Sequence, residues 1–301
     1  MQNHKLYKTF LKERDIIQIT GEEKFEFLQG LITNNIYTLS EKRVIYAALL
    51  TPQGKYLFDF ILFLKGNNKE KIFFDCEKKR SAELINLLNM YKLRKKISIS
   101  RVNRAKVYVV FGKLTPSFLS SIKLKNSTGF AKFNENQIAF LDPRNKNLGI
   151  RIILFSKNLT SNILDIPSAY NEEWNFHRLS LGIPDGSNDM DINKSFLIEN
   201  NIEYINGIDF NKGCYLGQEN TARQKYRGKL KKRLMKVKIH GNAVPKGTSI
   251  TNKNKIVGLM HSSSKGIGLA TIKIEEAKNA ILQKHRFSAA DSYLEVKEKI
   301  K

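Results

Sequence analysis

The sequence predicts an α+β protein in which residues 1–230 form one region and residues 231–301 a small antiparallel β-barrel. Three observations carry this. Two apolar runs of strand length, Val44–Leu50 and Tyr56–Leu64, flank Thr51-Pro52-Gln53-Gly54, the pattern of a hairpin. Apolar residues recur at helical spacing over Ser81–Lys95 and again over Asn171–Leu181. After Leu230 the texture changes. Leu234–His240, Ile256–Met260 and Ile267–Ile274 read as short strands separated by Gly, Pro, Ser and Asn turns.

Taken in order, Ile16–Ile19 is a strand that enters a helix over residues 22–32, where Phe25, Leu28 and Ile32 share a face. Lys71–Cys76 is a further strand. The Ser81–Lys95 helix offers Leu84, Ile85, Leu87, Leu88, Tyr91 and Leu93 as its apolar face. Lys92, Arg94, Lys95 and Lys96 near its end suit the negative pole of the helix dipole. Lys106–Phe111 and Gly149–Phe155 are strands around a loop-rich stretch. The Asn171–Leu181 helix stops at Gly182-Ile183-Pro184, and Gln218–Arg227 is compatible with a helix.

With 301 residues, 41% of them hydrophobic, the chain is long enough for two or three cores. Its net charge of +24 admits two readings. One is a polyanionic partner such as tRNA, for which the basic stretch from Arg223 to Arg233 is the local footprint. The other is a compositional bias, because Lys, Asn and Ile are abundant together. The Lys-rich end at residues 295–301 is expected to fray. Cys76 and Cys214 lie far apart, without CxxC or zinc-ligand spacing, which points to a reducing compartment. No apolar stretch has the length of a signal peptide, and Leu57–Leu64 is too short to span a bilayer. A cytoplasmic protein without membrane contact is expected. His177, His240 and His261 are isolated. Asp185, Asp189 and Asp191 read as a solvated loop, with no calcium-loop spacing. Phosphate loops, Rossmann glycines and Ser/His/Asp arrangements are absent from the sequence.

Four side chains stand out for chemistry. Cys214 precedes a helical segment and neighbours Lys212, Arg223 and Lys225, the ingredients of a lowered thiol pKa and a reactive thiolate. A buried structural cysteine is the equal alternative. Asp59 interrupts an apolar strand, where a carboxylate needs a partner unless that face is solvated. Trp174, the only Trp, suits either ring stacking or a core anchor. Arg178, one turn later, suits either an anion or the end of its own helix.

The run Lys212-Gly213-Cys214-Tyr215-Leu216-Gly217-Gln218-Glu219, with Arg223 and Tyr226-Arg227-Gly228 after it, resembles the KGCYxGQE signature of the YgfZ-type folate-binding proteins. Phe27-Leu28-Gln29-Gly30 with Thr33-Asn34 is similar to that family's FLQGxxTN element. Gln53-Gly54-Lys55 with Asp59, Asp142-Pro143-Arg144 with Leu148-Gly149-Ile150-Arg151, and Trp174 with Gly182-Ile183-Pro184 follow in the family's order. The resemblance implies a three-lobed fold shared with the T-protein of glycine cleavage, a tetrahydrofolate-dependent aminomethyltransferase. It further implies a role in iron–sulfur cluster assembly or repair, with the assembly machinery or client proteins as partners. Tetrahydrofolate is then expected near Asp59, Trp174 and Arg178, and Cys214 as a reactive thiol or transient cluster contact, with no resident metal site. The alternatives are an aminomethyltransferase-like enzyme and an RNA-binding protein linked to tRNA modification. Ser180 stands where the T-protein carries an acid, and its GxxGExGFE stretch has no counterpart here, which argues against aminomethyl transfer.

Overall fold

The computed structural model describes residues 6–65, 70–114, 116–133, 136–155 and 161–297. In chain order its elements are β1 (Leu6–Phe10), β2 (Arg14–Thr20), α1 (Lys24–Gln29), β3 (Ile45–Leu50), β4 (Tyr56–Leu64), β5 (Ile72–Glu77), α2 (Ser81–Lys92), β6 (Ser98–Arg101), β7 (Lys106–Gly112), α3 (Pro116–Ser121), β8 (Ala131–Phe133), β9 (Gln137–Leu141), β10 (Ile150–Leu154), α4 (Ser161–Leu164) and α5 (Asn171–Ser180). There follow α6 (Gln218–Tyr226), β11 (Lys232–His240), β12 (Ser249–Asn252), β13 (Lys255–Ser264), β14 (Ile267–Lys273), α7 (Ile274–Gln283), β15 (Phe287–Ala289) and β16 (Ser292–Val296). They group into two compact units.

The first unit comprises Met1–Leu50, Leu57–Asn171 and Ile205–Leu216. It holds two five-stranded sheets, of order β3-β4-β5-β2-β6 and β1-β7-β10-β9-β8. The β4 sequence YLFDFILFL is apolar almost throughout because both faces of the strand are covered. Phe60 and Leu62 join the core under α1 and α2, with Leu28, Phe74, Leu84 and Leu88. On the opposite face Phe63 stacks on Phe73 at 5.3 Å and meets Phe140 of the second sheet at 6.1 Å.

Charges are buried beside these aromatics. Asp75 of β5 is fully buried; its Oδ1 takes Arg14 Nε at 2.6 Å and its Oδ2 takes Arg151 of β10. Asp142 accepts from Arg144 Nε at 2.9 Å and Nη2 at 2.8 Å, and Arg151 Nε lies 3.4 Å from its Oδ2. Burial works to raise the Asp142 pKa, but the two guanidinium groups prevail and hold it below the ordinary carboxylate range. The DPR and LGIR residues therefore join β5 to β10 through paired charges.

The second unit comprises Thr51–Tyr56, Glu172–Tyr204 and Gly217–Lys301. Its barrel closes in the order β11-β14-β13-β12-β15-β16, with β16 back on β11. Met235, Val237, Ile250, Met260, Phe287 and Leu294 fill it, and Ala277 and Ala280 of α7 belong to the same core.

Several expectations are corrected. The helix expected to reach Lys95 ends at Lys92, because Leu93 takes φ 47°. Leu93 is 83% exposed and so leaves the apolar face assigned to it. The stretch between β7 and β10 is not loop alone, since α3, β8 and β9 occupy it. In the expected frayed end, Glu295 and Val296 close the barrel in β16, and residues 298–301 lie outside the described residues.

Candidate functional site

Cys214 is exposed, on a loop of the first unit. What holds that loop is Lys212, whose residue is 6% exposed. Its Nζ donates to the backbone carbonyls of Gln29 at 2.7 Å, Ile32 at 2.6 Å and Asn34 at 3.0 Å. An ammonium has three donors, and all three are used. The Lys212 Nζ also lies 5.0 Å from the centroid of the buried Tyr215 ring. Burial pushes the Lys212 pKa down to about 8 against the opposing pull of Asp209. The cation expected to act on the thiol is thus turned inward and spent on the chain.

The rest of the loop is fastened to the same stretch. Leu216 N donates to Gly30 O and Asp209 N to Thr33 O, each at 3.0 Å. Thr33 Oγ1 donates to Gly207 O at 2.6 Å and accepts from Ala48 N at 2.8 Å. Asn34 Nδ2 bridges Tyr46 O and Asn206 O, both at 2.8 Å. Gln29, Thr33 and Asn34 of the FLQGxxTN element are therefore the cradle of the Cys214 loop, which is why the two motifs occur together. Gly213 is exposed, has ordinary φ, and a Cβ there would meet nothing within 4 Å.

The other half of the signature belongs to the second unit. Gly217 takes φ 79° as the N-cap of α6. A Cβ on Gly54, itself at φ 75°, would come within 2.8 Å of Gly217 O. Asn220 Nδ2 donates to Gln53 O at 2.9 Å. The Gln53-Gly54 turn and the start of α6 thus require each other. Gln218 is half-buried in the first turn of α6, while Glu219 and Arg223 are exposed. In the basic stretch, Lys225 binds Glu203 at 2.5 Å, Arg233 reaches Glu203 at 3.3 Å and Lys232 lies 3.6 Å from Glu199. Part of its charge is neutralised inside the unit.

Asp59 of β4 is 5% exposed, and its Oδ2 accepts from the Tyr46 hydroxyl at 3.0 Å. The solvated-face alternative is therefore excluded. The Arg144 guanidinium carbon lies 5.7 Å from the Tyr46 ring centroid, which brings the buried charges close to this carboxylate. Trp174 is 5% exposed, with its ring 6.0 Å from His177 on α5.

Arg178 is 2% exposed, and its Nη1 donates to Asp189 Oδ2 at 2.7 Å and to Ile183 O at 3.1 Å. Its Nη2 donates to Ser262 Oγ at 3.0 Å and its Nε to Asn175 Oδ1 at 3.1 Å. The guanidinium ties α5 to the chain beyond it and to the barrel, with four of its five N–H donors used inside the unit. Asp189, expected on a solvated loop, is fully buried and also accepts from Asp185 N and Ser262 N. Among the described residues no group of three His, Cys, Asp or Glu could hold a metal ion, and no helix is long and apolar enough to cross a membrane.

Two sheets followed by a closed barrel define the fold of the glycine cleavage T-protein. The structure is similar to glycine cleavage system aminomethyltransferase T from Bartonella henselae, with a TM-score of 0.78 over 99% of this chain and 86% of that one. Sequence identity there is 12%, so the likeness establishes fold alone. Residues 231–297 match the family model described as CAF17, C-terminal beta-barrel domain. Over most of its length the chain is similar to proteins named iron–sulfur cluster assembly factor IBA57, mitochondrial. The Homo sapiens protein is 27% identical over 289 residues, covering 90% of this chain and 78% of the relative. The Mycosarcoma maydis homolog is 27% identical over 79% of this chain, and the Dictyostelium discoideum homolog 30% identical over 75%. The chain spans only 58% and 61% of those two relatives.

The relatives' names also overturn the cytoplasmic location expected from sequence, because all three are mitochondrial. That expectation rested on reduced cysteines and the lack of an apolar signal segment. Neither feature distinguishes cytoplasm from mitochondria, whose targeting segments are amphipathic rather than apolar.

Proposed function

We propose that this protein acts in iron–sulfur cluster assembly, as its named relatives do, and that Cys214 is the thiol that meets the cluster or its carrier. The exposed Cys214 on a loop clamped by Lys212 carries this reading. A cluster iron bound to Cys214 would be cargo. The S–Fe bond would form by ligand exchange: one thiolate of the carrier leaves the iron and takes up the Cys214 thiol proton, and Cys214 fills the vacated coordination position. The other ligands then come from the cluster's sulfides and from a partner protein. A clamped loop presents the sulfur in one place, which lowers the ordering cost of that encounter.

The YgfZ-like motifs extend the proposal to tetrahydrofolate. The amino-pyrimidine edge of a folate presents N–H donors, and a buried carboxylate such as Asp59 complements them. Arg178 is given no ligand role in this reading, because its charge is paired with the buried Asp189 and four of its five donors bond Asp189, Ser262, Ile183 and Asn175.

Two experiments test the two halves separately. In cells lacking the gene, wild type should restore cluster-dependent enzyme activities and Cys214→Ser should not; full restoration by the serine variant removes the thiol from the function. Calorimetry should show tetrahydrofolate binding to wild type and at least roughly tenfold weaker binding to Asp59→Asn, which corresponds to about 1.4 kcal/mol. An absence of heat with wild type removes folate and leaves the thiol reading intact.

A further inference from the structure

The chain leaves α2 through a tight reversal at Lys92–Lys95. Lys95 N donates to Lys92 O at 2.8 Å, and Leu93 takes φ 47° and ψ −113°. That is the first central position of a type II′ turn, where glycine is the usual residue because a Cβ is strained there. Here a leucine holds it, and that leucine is 83% exposed. Neither the strain nor the exposure stabilises the fold, and backbone outliers of this kind collect at functional contacts. Met90, three residues earlier on α2, is 65% exposed.

The turn is braced on α1. Lys95 Nζ lies 2.8 Å from Glu26 Oε1, and Lys96 N donates to Glu23 Oε2 at 2.6 Å. The far end of α1 carries the Cys214 loop, since Leu216 N donates to Gly30 O at 3.0 Å. Gly30 N bonds Glu26 O, so these two residues stand one turn apart on one stripe of the helix, and both are exposed. α1 is about 9 Å long, so a partner footprint of roughly 800 Å² spans both ends. Tyr37, 61% exposed, stacks on Phe25 of the same helix at 6.3 Å and adds apolar area. The charges indicate the occupant. Lys92 and Arg94 flank Leu93 and have no ion-pair partner among the described residues. Glu22 and Glu26 are exposed beside them. An anionic lipid surface would gain at the first pair and lose at the second, whereas a protein face can carry both signs in register.

We propose that the surface from Leu93 to Tyr37 docks the protein that meets Cys214, a partner with an apolar socket for Leu93 and carboxylates opposite Lys92 and Arg94. The assignment rests on the reading of Cys214 given above. In cells lacking the gene, Leu93→Gly should restore about tenfold less cluster-dependent enzyme activity than wild type, and Leu93→Met should restore it fully. The purified Leu93→Gly chain should unfold at the same or a higher temperature, because glycine removes the strain. Full restoration by Leu93→Gly overturns the proposal. A lowered unfolding temperature does so too, since Leu93 would then serve the fold. A two-iron, two-sulfide cluster held by glutathione separates docking from the thiol. By visible absorption, Leu93→Gly should take it up as wild type does, and Cys214→Ser should not. Loss of uptake in Leu93→Gly overturns the docking role. No uptake by wild type removes the thiol reading and leaves the result in cells to decide docking. Sedimentation of wild type, but not Leu93→Gly, with phosphatidylcholine–phosphatidylglycerol vesicles would assign the surface to lipid and overturn the proposal.

Discussion

Cys76 and Cys214 both follow closely on a buried charged residue, yet they end in opposite environments. On β5, Asp75 turns toward Arg14 and Arg151, and strand alternation sends Cys76 into the core on the other face. Its Sγ lies 3.6 Å from Asp15 O, and burial pushes the thiol pKa up to about 12. On the loop, Lys212 turns inward to three carbonyls and Cys214 is left in solvent. The inward charge anchors the segment in both places, and the local geometry decides whether the neighbouring thiol is sealed or presented. A regular strand has a second buried face to offer. The Gly213–Cys214 loop has none.

The largest effect that sharpens this contrast is chemical. Alkylation of the native protein by iodoacetamide should modify Cys214 and leave Cys76 slower by a factor of about a thousand or more. Cys76 must wait for an opening that costs several kcal/mol. Comparable rates, read by peptide mass spectrometry, would erase the distinction.

Next come the anchors themselves. Arg151→Met removes the cation shared by Asp75 and Asp142, leaving each with a single arginine, Arg14 and Arg144, and should cost about 3 kcal/mol in denaturant titration. Lys212→Met leaves three carbonyls without a donor and should cost about 1–3 kcal/mol. Its amide exchange should quicken in residues 29–34 and 207–216. A loss confined to global stability, with those amides unchanged, would mean that Lys212 does not clamp the loop.

The Lys212 pKa gives this pair of proteins a pH signature. The folded value of about 8 lies below the ordinary 10.5, so between those values the unfolded chain holds more protons. The Lys212 contribution to wild-type stability therefore rises as pH climbs from 8 to 10.5 and is lost as pH falls back through 8. The stability gap between wild type and Lys212→Met should widen over that window. A constant gap would contradict the burial cost. The smallest effect is expected at Gly213, where Ala meets open space and should change stability by less than about 0.5 kcal/mol. If Gly213→Ala nevertheless fails to restore cluster-dependent enzymes in cells, the close approach that forbids a Cβ belongs to a partner.

Much of the framework was legible because it is local. β4 coincides with its expected span, since an unbroken apolar run bounded by turn residues has few other uses. The end of α5 was announced by Gly182, which takes φ 73°. Elements whose reason is distant were not legible. β8 and β9 carry little alternation of their own and exist because β9 pairs with β10 and β8 with β9. Residues 274–283 were not read as a helix, although Ala277 and Ala280 of α7 pack into the barrel core. Likewise the basic context of Cys214 suggested an activating cation, and only the fold shows Lys212 Nζ spent on backbone carbonyls.

By itself, then, the sequence determined the span of β4, the hairpin at Gln53-Gly54, the end of α5 and the barrel texture, because each depends on residues a few places apart. Tertiary structure alone decided what the chemistry-bearing positions do. It sealed Cys76 and exposed Cys214, and it paired the buried Arg178 with Asp189. The reason is physical. Burial, desolvation and the exhaustion of hydrogen-bond donors depend on neighbours brought together across long stretches of chain, and no local pattern records them.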